Sequence, residues 1–393
     1  MIINKLKIKT EKEWLIISSL IEFKTRPDMN DTLEYQIPIR YKKYISKNLD
    51  QFLVGLMMIA MHLNEDIIIK GSISPKLINN LYQYQNYFYY YVSNLYKKVK
   101  IIPEEIKIEK PLLRINTISF SGGVDSYYSL FNNLNNEDLL EQYKISHLLF
   151  SDSRNSNNRD FRLKKINEIS KKINMKCIII NTNIRDFYKK TNLPKHLYHP
   201  LVFIGSMLNL SRMIKIHYFP STFTYLGRTI WGTNVITDHL LSNDNTEIIH
   251  ENPNINRSNK TKKLIQYKET YDDLYVCNNE EFQNCCSCYK CLRTMITQKV
   301  FNIESSYKKS FKKLSHYDIF KWVTDEEEVL TMIKEILYYS KRFNNKLYYE
   351  LVFFRIIRFI IFIPLRKIYK ISAYLKKQSK LYSNLIKYIK KGL

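Results

Sequence analysis

Ser119-Phe120-Ser121-Gly122-Gly123-Val124-Asp125-Ser126 stands between a β-rich run, Arg114 to Phe120, and a helical run, Asp125 to Leu134. Two of the chain's eight glycines are adjacent here. Glycines let a backbone turn tightly and come close to a ligand. The start of the following helix offers unpaired N–H groups and the positive end of a dipole to an anion. Ser121 and Ser126 add hydroxyls, and Asp125 is placed to hold Mg²⁺ against phosphate oxygens. The plain alternative is a Ser/Gly turn with an ordinary helix cap. The chain contains neither Gly-x4-Gly-Lys-Ser/Thr nor Gly-x-Gly-x-x-Gly, so a Walker A loop and a dinucleotide fingerprint are both excluded.

The pattern around this loop repeats strand, loop and helix. His147 to Phe150 reads as a second strand. Leu163, Ile166, Ile169 and Ile173 share one helical face. Lys176 to Asn181 reads as a third strand. Pro200 to Ile214, mostly apolar with Gly205, Ser206 and Ser211, reads as a buried helix, and Ile216 to Phe219 as a fourth strand. This alternation predicts an α/β fold with a doubly wound parallel sheet, which binds ligands at the carboxyl ends of its strands.

Five of six cysteines fall between 277 and 291: Cys277, Cys285, Cys286, Cys288 and Cys291. Cys285-x2-Cys288-x2-Cys291 lets three thiolates converge on one ion, and Cys277 supplies a fourth. Four thiolates make a closed structural zinc site. Cys286 could replace Cys285 with a small change of register. An iron–sulfur cluster, or redox or sulfur-relay thiols, are the competing readings. Cys177, in the third strand, reads as an inert core residue.

Ser121 to Ser126 matches in full the Ser-Gly-Gly-x-Asp-Ser signature of the PP-loop, so the segment resembles the ATP pyrophosphatase superfamily, of the adenine nucleotide alpha hydrolase-like (HUP-like) kind. The pairing of that loop with four cysteines roughly 150 residues later is similar to the 7-cyano-7-deazaguanine synthase family. The resemblance covers about 111 to 300. It implies that Ser121, Gly122, Gly123, Val124, Asp125 and Ser126 hold the phosphates of ATP and Mg²⁺, and that Phe150 and Ser151 lie near the adenosine. It also implies attack by a substrate oxygen on the α-phosphorus, release of pyrophosphate, and displacement of AMP to form an amide- or nitrile-type C–N bond. The chain departs from the family in three ways. Cys286 replaces the usual glycine of Cys-Gly-x-Cys. Residues 1–110 and 301–393 have no counterpart, and the segment before the cysteines does not reproduce the family's substrate pocket. The substrate is therefore left as an unassigned small molecule. A tRNA-modifying enzyme of the same superfamily, with the tail holding RNA, is one alternative. A non-catalytic protein binding nucleotide or membrane is another.

Residues 217 to 262 are dense in polar and aromatic side chains, among them His217, Ser221, Trp231, Asp238, His250, Arg257 and Lys260. Arg228, Arg257 or Lys260 could stabilise charge at the α-phosphate, and Arg228 and Lys260 join Asp125 as the expected catalytic residues. Trp231 could stack a planar substrate. Asp152 and Asp238 are candidate general bases. His199, before Pro200, reads as a cap for the helix that follows.

The chain has 393 residues, 45% of them hydrophobic and 25% charged, which is globular composition. Three regions are expected: an N-terminal α/β domain of unknown role (1–110), an ATP-binding domain with a zinc knuckle (111–300, knuckle 277–291), and a basic helical region (301–393). In the first, Trp14 to Phe23 and Tyr35 to Tyr41 read as strands. Asp50 to Leu63 reads as a helix with Asn48 or Asp50 as its cap, and Ser74-Pro75 opens another helix. The chain shows no secretory signal, no apolar stretch of the ~18–20 residues that span a membrane, and cysteines suited to a reducing compartment. A cytoplasmic protein is expected, either free or peripheral on the inner membrane face.

The formal net charge is +25, from 62 Lys+Arg and 37 Asp+Glu. Lys shares A/T-rich codons with the abundant Ile, Asn, Tyr and Phe, so part of this charge reads as composition. The rest is localised. Residues 340–393 hold 14 Lys+Arg and one Glu, a net of +13. There Leu351, Arg355, Arg358, Phe362 and Arg366 share one helical stripe with apolar residues around it. Two readings follow: a core helix with solvated arginines, or an interfacial helix on an anionic membrane. Nucleic acid ranks behind both as a partner, and an oligomer is compatible with the sequence.

Overall fold

The structure, a computed structural model, describes residues 1–153, 159–227, 230–277, 283–323, 327–362 and 365. Its strands are β1 (Ile2–Ile3), β2 (Lys7–Glu11), β3 (Trp14–Glu22), β4 (Asp31–Pro38), β5 (Ile67–Ile73), β6 (Ile101–Ile106), β7 (Ile115–Ser119), β8 (His147–Ser153), β9 (Lys176–Thr182), β10 (Ile214–Pro220) and β11 (Glu247–Glu251). The helices are α1 (Asp50–Leu63), α2 (Pro75–Tyr91), α3 (Val124–Leu134), α4 (Arg159–Lys172), α5 (Ile184–Lys189), α6 (Lys195–Leu208), α7 (Arg257–Lys263), α8 (Tyr289–Val300), α9 (His316–Trp322), α10 (Glu327–Arg342) and α11 (Leu347–Ile357). The chain is α/β, with a largely parallel central sheet.

Among the described residues one sheet contains every strand, in the order β11-β10-β7-β8-β9-β4-β3-β1-β5-β6, with β2 paired to β3. The five strands from β11 to β9 are parallel. The chain steps from β7 to β8 to β9, then returns to place β10 on the other side of β7. In parallel sheets such a reversal is where ligands bind, at the carboxyl ends of the flanking strands, here β7 and β10. Side chains alternate across these strands. Leu149, Ile178 and Ile180 join the core formed with α1 and α6, while Asp152, on the opposite face of β8, meets α4 through Arg162.

Two compact units emerge, Met1–Asn284 and Cys285–Leu393. The expected division at residue 110 is not a break. β4 pairs antiparallel with β9, Tyr35 opposite Thr182 and Gln36 opposite Asn181, so the N-terminal strands extend the same sheet. Helix α1 is buried from Asp50 to Met61, a helix apolar on nearly every side and enclosed on nearly every side. It crosses α6 closely: a Cβ at Gly205 would lie 3.0 Å from Gln51 O and 3.3 Å from Gly55 Cα. The small residues of α6 thus serve a helix contact as well as the sheet. Each fully buried Leu, Ile, Phe or Met here contributes about 1.5–3 kcal/mol.

Local readings needed adjustment. The cap of α1 is Leu49, not Asn48 or Asp50. The buried Asp50 carboxylate instead accepts from Ser74 N (3.0 Å), Ser74 Oγ (2.5 Å) and Asn243 Nδ2 (2.8 Å), tying α1 to the start of α2. Helix α6 begins at Lys195, so His199 and Pro200 lie inside it, and His199 Nδ1 contacts His196 O at 3.1 Å. Pro38 ends β4, and residues 39–44 turn into a 3-10 helix where the sequence suggested more strand.

The second unit packs α8, α9, α10 and α11 around Ile319, Trp322, Ile333, Ile336, Leu347 and Leu351. Among the described residues, no helix is long and apolar enough to cross a membrane. Of the expected arginine-bearing stripe, Arg366 lies outside the described residues.

Candidate nucleotide site and cysteine cluster

The loop between β7 and α3 has the backbone that its glycines foreshadow. Gly122 sits at φ 73°, the left-handed region that a side chain rarely adopts. A Cβ at Gly123 would meet Ser121 Oγ at 3.3 Å and Tyr275 O at 3.4 Å. Tyr275 N–H donates to Gly122 O at 2.8 Å and straps the loop from a segment 150 residues away. Ser126 Oγ accepts from Ser121 N (3.3 Å) and Gly123 N (3.1 Å), so this hydroxyl is spent on the turn. Val124, buried, opens α3.

Beneath the loop, His217 bridges the two strands at the reversal. Its ring nitrogens meet Thr117 Oγ1 at 2.7 Å and Ser119 Oγ at 2.8 Å. Full burial pushes its pKa down to about 3, so the ring is neutral at pH 7. Expected beside a ligand, His217 is instead a tie inside the sheet.

Asp125, in the first turn of α3, is the meeting point of charges. Helix α7 is capped by Asn256, whose Oδ1 accepts from Asn259 N at 2.9 Å. That cap starts a helix on which Arg257 and Lys260, three residues apart, share a face. Arg257 Nη1 pairs with Asp125 Oδ2. Lys260 Nζ lies 4.0 Å from Asp125 Oδ1 and donates to Ser221 O and Ser221 Oγ, both at 2.7 Å. Asp125 Oδ1 is buried and has no hydrogen-bond partner among the described residues. Arg257 is thus the arginine brought to the loop; Arg228 lies outside the described residues.

Glu251, at the end of β11, was not foreseen. Burial raises its carboxyl pKa to about 7, against the opposing pull of Lys260 and His250. Its backbone carbonyl accepts from Ser221 N at 2.9 Å. A buried carboxyl lifted to neutrality beside a lysine is a common feature of functional sites. The run Glu-Ile-Ile-His-Glu lacks the polar–apolar alternation of a half-buried strand, so it gave no signal for this carboxylate.

Other expected site residues are occupied elsewhere. Ser151 Oγ donates to Ser206 Oγ at 2.9 Å, and Phe150 is buried. Asp152 is held by the Arg162 guanidinium. Asp238 accepts from Thr233 Oγ1 at 2.6 Å and pairs with His250 Nδ1 at 2.7 Å, which orients that ring. Trp231 stacks on His196, ring centroids 5.0 Å apart, so the protein itself takes one face of its indole. Next to it, Gly232 passes so close to α6 that a Cβ would sit 1.9 Å from Leu197 O.

The Sγ atoms of Cys277, Cys285, Cys288 and Cys291 lie within 4.8 Å of one another. Tetrahedral zinc with Zn–S bonds of ~2.3 Å holds its thiolates ~3.8 Å apart, so the set fits such an ion after a small closure. Cys288 N–H donates to Cys285 Sγ at 3.3 Å, which turns that sulfur toward the cluster. Cys286 is buried, outside the cluster, and accepts from Lys312 N at 3.4 Å. Its φ is 54°, left-handed, so the position that holds glycine in the resembling motif demands here what glycine gives freely. Cys177 is buried, which pushes its thiol up to about 12.

In comparisons with known proteins, no family model, no curated protein and no solved structure matches this chain.

Proposed function

We propose that the chain is an ATP-dependent adenylating enzyme of the PP-loop kind, built on a doubly wound sheet, with a structural zinc at its four-cysteine cluster. The observation that carries this reading is the buried Asp125 Oδ1 at the start of α3, which accepts no hydrogen bond among the described residues and has Lys260 Nζ 4.0 Å away, beside Arg257 and the left-handed Gly122. A carboxylate oxygen that accepts no hydrogen bond, next to the first-turn amides of a helix, is suited to Mg²⁺ bound together with phosphate. The strand reversal between β7 and β10 supports the same place for a ligand.

In this reading Gly122 and Gly123 admit the phosphates to the backbone, and the first-turn amides of α3 point at them. Asp125 would hold Mg²⁺. Lys260 and Arg257 supply positive charge where it builds on the phosphates. His217 stays neutral and fixes Ser119 below the loop. ATP supplies the chemistry when bound: a substrate oxygen attacks its α-phosphorus, pyrophosphate leaves, and a nucleophile then displaces AMP. The substrate class is a small molecule with an activatable oxygen, and 7-carboxy-7-deazaguanine is the first carboxylate to try.

ATP–pyrophosphate exchange against candidate carboxylates tests the reading. The wild type is expected to exchange and to release AMP. Asp125→Asn should lower exchange by at least about 100-fold, since it removes an electrostatic contact to the reacting phosphates. Release of ADP and phosphate in place of AMP and pyrophosphate would sink the proposal, as would an unimpaired Asp125→Asn protein.

A further inference from the structure

Helix α11 and the turn of π-helix after it, residues 358–362, are inside out. Tyr349, Phe353, Ile356 and Ile360 repeat at gaps of four, three and four, one face of a helix, and they are 67%, 59%, 51% and 64% exposed. Phe359, Ile361 and Leu365 are exposed beside them. The arginines face the other way. Arg358 lies over the Phe320 ring of α9 at 5.7 Å, and Phe320 also meets Phe354 edge-on at 5.5 Å. Both Arg355 and Arg358 are partly shielded. Leu347 and Leu351 pack α11 into the second unit, but the arginines are not its solvated side, unlike the core helix with solvated arginines that the sequence suggested.

Charge decides what covers the apolar face. Residues 366–393 hold nine Lys+Arg and no acid. A second copy of the chain would bring the same surplus of positive charge. That surplus favours an anionic partner. A band of Phe and Ile is suited to acyl chains and has no use against nucleic-acid phosphates. We infer that this face docks the protein on anionic lipid, with Phe353, Ile356, Phe359 and Ile360 entering the acyl boundary.

Co-flotation of the full-length protein with vesicles tests the inference. The comparison is equimolar phosphatidylcholine and phosphatidylglycerol against phosphatidylcholine alone. Binding is expected to the mixed vesicles, to weaken with salt, and to fall about tenfold in Ile356→Glu/Ile360→Glu. These positions are exposed, so the change leaves the packed side of α11 intact. Ile108→Glu, an equally exposed isoleucine elsewhere, should bind as the wild type. Equal flotation with both vesicles, or an unaffected double variant, overturns the inference. So does a concentration-dependent dimer in sedimentation that the double variant abolishes, which would give the face to a second copy. Salt-sensitive binding of an RNA oligonucleotide without vesicle binding would give it to nucleic acid.

Discussion

Glu251 and His217 lie on the neighbouring strands β11 and β10 and bend stability in opposite directions. The folded state raises the Glu251 carboxyl from 4.5 to about 7 by burial. Between those values the folded chain keeps a proton that the unfolded chain has released. Stability therefore falls as pH rises through this window and levels off above it. Glu251→Gln cannot ionise and is expected to flatten that fall, gaining on the order of 1–3 kcal/mol at about pH 8 relative to wild type. Urea unfolding on both sides of neutrality measures it, and parallel pH profiles for the two proteins would refute the assignment. His217 acts the other way. Its pKa drops from 6.5 to about 3, so its contribution is lost as acid protonates the unfolded chain first. Gly122, Gly123 and Asp125 could be read from the sequence because the motif states their chemistry locally. Glu251 and Tyr275 could not: Tyr275 acts through Gly122 in a distant segment, and Glu251 depends on burial that no pattern encodes.

At the scale of elements, the turn that enters α8 shows how spacing constrains a site without selecting every ligand. Cys-x2-Cys-x2-Cys required convergence, yet Cys285 and Cys286 were equivalent on paper. The left-handed backbone at Cys286 resolves the choice, since it sends one sulfur to Lys312 and leaves the other with the cluster. Cys286→Ser is expected to retain a full equivalent of zinc, while Cys288→Ser loses most of it and lowers thermal stability by several degrees. Metal analysis of the purified variants reads this directly. Iron in place of zinc, or equal metal in both variants, would contradict it. Helices α1 and α3 and strands β3, β8 and β9 were legible from their apolar runs and the turn residues that bound them. Strands β2, β5, β6 and β11 were not recognised. β2 is short and exposed throughout, and β5 is interrupted by Lys70-Gly71, so their identity as strands comes from partners in the sheet.

At the scale of the molecule, the N-terminal residues are part of the sheet that carries the loop. A fragment of residues 111–300 would strip β4 from the edge of β9 and α1 from α6, baring Leu201, Ile204 and Leu208. It is expected to lack a cooperative thermal transition, whereas the full chain has one; a cooperative fragment would show that residues 1–110 are dispensable for folding. The sequence by itself determined the α/β class, the loop with its glycines and aspartate, the four-cysteine spacing, and the concentration of positive charge at the carboxyl end. All of these are local, fixed by residues within a turn or two of one another. Only the tertiary structure decided that one sheet runs from β11 to β6, that Arg257 and Lys260 meet Asp125, that His217 is buried under the loop, and that α11 turns its apolar face outward. Those outcomes depend on which distant segments exclude water from which side chains, and a linear pattern carries periodicity but not partners.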